Sequence, residues 1–172
     1  MALSCVHWAT LSERSRLSSL TLLLRTCSFP KNCLKTGAPK PHGNHVTNAV
    51  LDASALIALL RKEPGAERVE AMLGQVCISA ANLAETLAKM MDYGKQLEDV
   101  AHQIERLQIP VIPFDAELAH ISASLRPSTR NANVSLGDRA CLALAIKMAV
   151  PALTTDGNWE TCNLNVQLVK IR

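Results

Sequence analysis

The chain reads as an α/β protein, with a mostly parallel sheet of about five strands and helices on both faces. Three observations carry that reading. Beyond residue 46, short apolar runs alternate with longer segments whose apolar residues recur at helical spacing. One such segment, built around Cys141-Leu-Ala-Leu-Ala-Ile146, is apolar on nearly every side, as a buried helix is. Four acids, Asp52, Glu85, Asp138 and Asp156, stand where apolar strands or helices begin or end.

In order along the chain, residues 49–52 form the first strand. Residues 54–61 follow as a helix capped by Ser54 or Asp52, and Pro64-Gly65 separates it from a second helix over 66–73. The second strand spans 75–79. A helix over 80–93 stops at Gly94, and the next, 96–107, carries Leu97, Val100, Ala101, Ile104 and Leu107 at helical spacing. The third strand is 110–113. Asp115 looks like the N-cap of a helix over 115–125, and residues 126–134 form a polar loop. The apolar helix covers 136–149, and strands at 152–155 and 166–171 complete the sheet. Ligands collect at the carboxyl ends of strands in such sheets. Asp52 and Asp156 fall at strand ends, Asp138 opens a helix, and Glu85 lies within one.

At 172 residues the chain accommodates one domain with a full core plus an appendage. Apolar residues make up 48% and mean hydropathy is +0.11, values of a soluble globular chain. The net charge of +3 is unevenly spread. Residues 1–45 carry six basic side chains against Glu13 alone, a balance of +5, whereas residues 46–172 carry 12 against 14 acids, a balance of −2. The domain is therefore no general nucleic-acid sponge; a nucleic acid must be held by a local patch and by metal.

Residues 1–45 are rich in Ser, Thr, Arg and Leu and end in the turn-prone Gly37-Ala-Pro-Lys-Pro-His-Gly43. Their longest apolar stretch, 20–24, is far too short to span a bilayer. No membrane partner and a cytoplasmic location are expected. The segment has three readings: an organellar transit peptide, a secretory signal, which fits less well because Arg25 closes the apolar stretch, or a start site placed too early, with initiation near Val46. The last is preferred, and the extension is expected to be poorly ordered. None of the six cysteines forms a CxxC pair, and Cys77 and Cys141 read as small buried hydrophobes. Neither disulfides nor a zinc site from Cys27, Cys33, His42 and His45 is expected.

Acids beside apolar stretches are costly unless a cation or a hydrogen-bond network offsets them. An oxygen-only set suits a hard ion, Mg²⁺ or Mn²⁺, which points to metal-dependent phosphate chemistry. Each acid also has a plainer role. Asp52 can cap the following helix, although Ser54 can do so instead. Ser135-Leu-Gly-Asp138 matches a capping box. Glu85 can pair with Lys89 one turn on, and Asp156-Gly-Asn is turn chemistry. The set tells more than any member.

From about Val46 onward, five ordered motifs stand out. They are Val50-Leu-Asp52-Ala-Ser54-Ala-Leu56, Ser79-Ala-Ala-Asn82-Leu-Ala-Glu85, Val111-Ile-Pro-Phe114-Asp115, Ser135-Leu-Gly-Asp138-Arg139-Ala-Cys-Leu-Ala-Leu-Ala145 and Leu153-Thr-Thr-Asp156-Gly-Asn-Trp159. Together they resemble the PIN-domain ribonucleases, in particular the VapC-type toxins of type II toxin–antitoxin pairs. The resemblance implies a PIN-like three-layer α/β/α domain over 46–172. It implies that Asp52, Glu85, Asp138 and Asp156 are the catalytic, metal-binding acids for Mg²⁺ or Mn²⁺. Ser54 and Thr154 or Thr155 would then be hydroxyls supporting them. It further implies hydrolysis of RNA phosphodiester bonds to a 5′-phosphate and a 3′-hydroxyl, a cognate antitoxin as partner, and a homodimer. Arg126, Arg130 and Arg139 are candidates for gripping RNA phosphates.

The main alternative is a catalytically inactive PIN-like interaction module, because folds outlive chemistry. A phosphorylatable receiver domain wants adjacent acids after the first strand and a lysine after the last parallel strand. A phosphatase with an Asp nucleophile wants an acid where Ser54 stands. The sequence supplies neither.

Overall fold

The structure, a computed structural model, describes residues 47–162 and 164–172, all within the unit Pro39–Arg172. The extension over 1–45, its three readings, and the zinc candidates Cys27, Cys33, His42 and His45 lie outside the described residues. Strands β1 (Ala49–Leu51), β2 (Val76–Ser79), β3 (Val111–Ile112), β4 (Ala152–Thr154) and β5 (Leu168–Lys170) form one sheet in the order β3-β2-β1-β4-β5. Every pairing in it is parallel. The helices are α1 (Ala53–Arg61), α2 (Ala66–Glu70), α3 (Ala80–Asp92), α4 (Leu97–Leu107), α5 (Ala116–Ser124), α6 (Arg126–Thr129) and α7 (Leu136–Met148).

Strand side chains alternate between two cores. Ala49 and Leu51 face one and Val50 the other; Val76 and Ile78 are likewise separated from Cys77, and Leu153 from Ala152. The first core takes in Leu56 of α1, Val69 of α2, Met90 of α3 and Ile104 of α4. The second takes in Leu118 of α5, Leu142 and Leu144 of α7, and Trp159. This is a three-layer α/β/α arrangement. A sheet covered on both faces needs apolar residues at every position, which is why these strands read as unbroken apolar runs. Helix α7 meets its expectation: Ala140 to Ala145 are all buried. Cys77 and Cys141 are free, buried thiols.

The structure departs from the sequence reading in short elements. Residues 126–134 are not a plain loop but hold α6 and a 3₁₀ turn over Arg130–Ala132. Pro127 sits in the first turn of α6, where its missing N–H costs nothing, and the buried Thr129 hydroxyl donates to the Leu125 carbonyl at 2.8 Å. Helix α2 ends at Glu70, short of residue 73. A second 3₁₀ turn, Gly157–Thr161, follows Asp156 and is anchored by the fully buried Trp159. No helix among the described residues is long and apolar enough to cross a membrane.

Strand order fixes where a site can form. The chain leaves β1 toward β2 and β3 on one side, then returns to place β4 on the other. Such a reversal opens a crevice at the carboxyl ends of the two central strands. Asp52 follows β1 directly, and Thr155 and Asp156 follow β4.

Candidate active site

Asp52, Glu85, Asp138 and Asp156 all line one hollow of about 280 Å³ at that crevice. Four separate elements deliver them: the end of β1, the second turn of α3, the first turn of α7 and the turn after β4. Ser54 and Thr155 line it too.

Asp52 is the innermost, 3% exposed. Its Oδ2 accepts from the Ser54 backbone N–H at 3.2 Å, the Ser54 hydroxyl at 2.5 Å and the Thr154 hydroxyl at 3.2 Å. Asp52, and not Ser54, is therefore the N-cap of α1. The hydroxyls in turn accept from the chain leaving β4: Ser54 Oγ from the Thr155 N–H and Thr154 Oγ1 from the Asp156 N–H, both at 3.0 Å. Each hydroxyl spends its one proton on Asp52 and its lone pair on the backbone. The two central strands are thereby tied together at the carboxylate. Among the described residues, Asp52 Oδ1 accepts only from Asn82 Nδ2, at 3.1 Å.

The capping roles are real and leave oxygens free. Asp138 Oδ2 accepts from the Ser135 N–H at 2.7 Å, completing a capping box with Ser135 Oγ. Asp156 Oδ1 accepts from the Asn158 N–H at 2.8 Å. Among the described residues, the other oxygen of each carboxylate has no hydrogen bond, and neither does either oxygen of Glu85. In Asp138 and Asp156 a cap uses one oxygen of two and leaves the second for another partner. Asp115, by contrast, caps α5 through Leu118 and stands outside the hollow.

Like charges raise the cost of this arrangement. Burial pushes the Asp52 carboxyl up to about 6, the Ser54 hydrogen bonds oppose the shift, and Asp138 and Glu85 add to it. Burial also raises Glu85, Asp138 adds to the shift, and Lys89 pulls it back. Among the described residues, no three acidic, histidine or cysteine side chains form a ready-made ligand cluster. The donor set still fits a hard cation: it is oxygen-only, mutually repelling, and among the described residues retains unpaired oxygens on Glu85, Asp138 and Asp156, while Asp52 Oδ1 has a single donor.

Sequence reasoning missed several groups in and behind the hollow. Asn82 is fully buried on α3, one turn before Glu85, and bridges Asp52 Oδ1 to the Gly137 carbonyl, both at 3.1 Å. Its second motif position was the available signal. Lys89, Tyr93, Glu63 and Arg172 line the hollow itself. Glu63 binds Arg61 at 3.0 Å and Arg172 at 2.7 Å, so this fifth acid is neutralised by two arginines. Of the arginines expected to grip phosphates, none lines the hollow. Arg126 and Arg130 are exposed on α6 and the following turn, and Arg139 donates back to the Val134 carbonyl at 2.9 Å. Among the described residues, the cations that line the hollow are Lys89 and Arg172.

The PIN-domain sequence profile matches residues 49–162. Among solved structures the chain is similar to FitAcB from Neisseria gonorrhoeae, at 21% identity and a TM-score of 0.55, covering 72% of this chain and 97% of that one. It is also similar to a toxin–antitoxin complex from Klebsiella pneumoniae, at 20% identity and a TM-score of 0.57, covering 73% and 98%. A third is VapBC2 from Rickettsia felis, bound to a DNA fragment from its promoter, at 18% identity and a TM-score of 0.55, covering 71% and 97%. At these identities the likeness is one of fold. No curated protein sequence matches the chain. Five parallel strands, four acids around the switch point and a profile spanning the first strand to the turn beyond the fourth make one case: the chain belongs to the PIN-domain family.

Proposed function

We propose that the chain is a Mg²⁺- or Mn²⁺-dependent ribonuclease, the toxin of a toxin–antitoxin pair. The observation that carries the nuclease reading is the meeting of Asp52, Glu85, Asp138 and Asp156 in one hollow, the last three with an oxygen that accepts no hydrogen bond among the described residues. These four would hold the metal. When bound, it supplies an activated water and stabilises the leaving oxygen of the phosphodiester. The chain's own part is placement: Ser54, Thr154 and Asn82 fix Asp52, while Lys89 and Arg172 offset phosphate charge at the rim.

The toxin reading is supported by the similar structure from Klebsiella pneumoniae, which is described as a toxin–antitoxin complex. An antitoxin is the expected protein partner, inhibiting by placing a basic side chain beside the acids. A homodimer belongs to the same proposal, since Met91 and Leu136 offer exposed apolar side chains. A second reading, the inactive PIN-like module, draws on the absence of a ready-made ligand cluster among the described residues and on the caps made by Asp52, Asp138 and Asp156.

One experiment separates the two. Purified protein is incubated with RNA in Mn²⁺ or EDTA, beside Asp52→Asn and Asp138→Asn. Cleavage by wild type that stops in EDTA and in both folded variants supports the nuclease. Near-wild-type cleavage by either variant would falsify the site.

A further inference from the structure

The hollow is two-sided: its acids face a rim that carries the chain's single tyrosine. Tyr93 caps the C-terminal end of α3 and is 53% exposed although it lines the hollow. Its position follows from helical spacing. Asn82, Glu85, Lys89 and Tyr93 succeed one another at steps of three, four and four, so they fall on one face of α3. Eight residues separate Glu85 from Tyr93, a rise of about 12 Å along the axis. The ring therefore sits beyond the acids, with the Lys89 ammonium between them.

The ring is also backed. The Arg61 guanidinium lies over it, 3.7 Å from the centroid. Arg61 is not free to leave, because its Nε holds Glu63 at 3.0 Å, and Glu63 holds Arg172 at 2.7 Å. A guanidinium over a ring is a fixed, planar, cationic support. An exposed aromatic held flat by an arginine, next to a lysine and an acidic hollow, has the parts of a nucleotide subsite. The ring offers a π-face to a base, and the cations answer the phosphate. A solvent-facing tyrosine kept only for packing has no need of an arginine held in place by a carboxylate.

We infer that Tyr93, supported by Arg61, stacks an unpaired base flanking the phosphodiester held at the acids. The inference rests on the nucleic-acid reading above and adds a specificity-determining residue to it. It also gives α3 a polarity: phosphate chemistry at its Glu85 end, base contact at its Tyr93 end. Paired bases cannot present a face to the ring, so the subsite selects unstacked strands.

The test measures binding, not cleavage. Full-length wild type, Tyr93→Phe, Tyr93→Leu and Tyr93→Ala are titrated into a fluorescent single-stranded RNA oligonucleotide, in EDTA and in Mn²⁺, with circular dichroism for fold. Stacking of one base predicts roughly a five-fold or greater loss of affinity for Tyr93→Ala and Tyr93→Leu, and little loss for Tyr93→Phe. A scan of oligonucleotides with one abasic position should contain a position at which wild type and Tyr93→Ala bind alike. Unchanged affinity in both the Ala and Leu variants overturns the proposal and leaves the ring to a protein contact. So does an equal penalty at every abasic position, or wild type that binds no oligonucleotide in either buffer. Tyr93-dependent binding without cleavage keeps the subsite and removes the nuclease; cleavage with Tyr93-independent binding does the reverse.

Discussion

Asp52 shows what a single residue contributes and costs here. Its carboxyl rises from 3.8 to about 6, mainly because burial disfavours the charged form. Between those values the native state binds more protons than the unfolded chain, so stability falls as pH rises through the interval. A shift of about two units corresponds to about 3 kcal/mol, fully lost above pH 6. The metal-free domain should therefore gain from Asp52→Asn at pH 7 relative to pH 4 by about that amount, measured as the difference in urea unfolding free energy. An equal effect of the substitution at both pH values would contradict the assignment. Asn82 is the counterpart. Both its amide hydrogens are spent, on Asp52 and on Gly137, and its own oxygen is buried without a donor among the described residues. Asn82→Ala strands two acceptors and should cost about 1–3 kcal/mol in unfolding experiments. The acids were legible from their sequence neighbours. Asn82 was not, because its partners come from β1 and α7, and only strand order brings those together.

Elements divide the same way. The strands were readable because a doubly covered sheet demands apolar runs, and α7 because a helix apolar all round must be buried. α6 and the 3₁₀ turn before α7 escaped notice, since a few residues give no measurable periodicity. The short elements also explain why Arg126 and Arg130 miss the hollow: α6 carries the first and the 3₁₀ turn the second, both exposed. The start of α7 shows how an element serves chemistry. Gly137 lies in its first turn, and a Cβ there would collide with a Glu85 carboxylate oxygen. The obstructing atom is the far end of a flexible side chain, so it swings away and the backbone stays. Alanine is also the better helix former by about 1 kcal/mol. Gly137→Ala should thus leave the thermal midpoint equal or higher while cleavage falls, because Glu85 is displaced from the hollow. A fall in midpoint with full activity would show that α7 and α3 are not in register as described.

At the scale of the whole molecule, the hollow joins pieces of chain that share little local structure. Asp52 ends β1, Glu85 rides on α3, Asp138 opens α7, and Asp156 follows β4. Sequence spacing suggested that these acids could meet; the order β3-β2-β1-β4-β5 is what puts β1 beside β4 and makes it possible. A cation held by all four would cross-link the layers of the fold, and that has a thermodynamic signature. Only the native state presents the four acids together, so binding stabilises by RT ln(1 + [L]/Kd), about 2.7 kcal/mol at a hundredfold excess over Kd. The thermal midpoint should climb with the logarithm of Mn²⁺ concentration by several degrees, and stay flat in Asp52→Asn and Asp138→Asn. Because the same ion offsets the burial and the like charges that raise Asp52, the gain should be larger at pH 7 than at pH 5, where protons compete for the site. A midpoint indifferent to Mn²⁺ at both pH values would mean that the acids share a hollow without sharing an ion. The fold would then be that of a PIN domain used for contact alone.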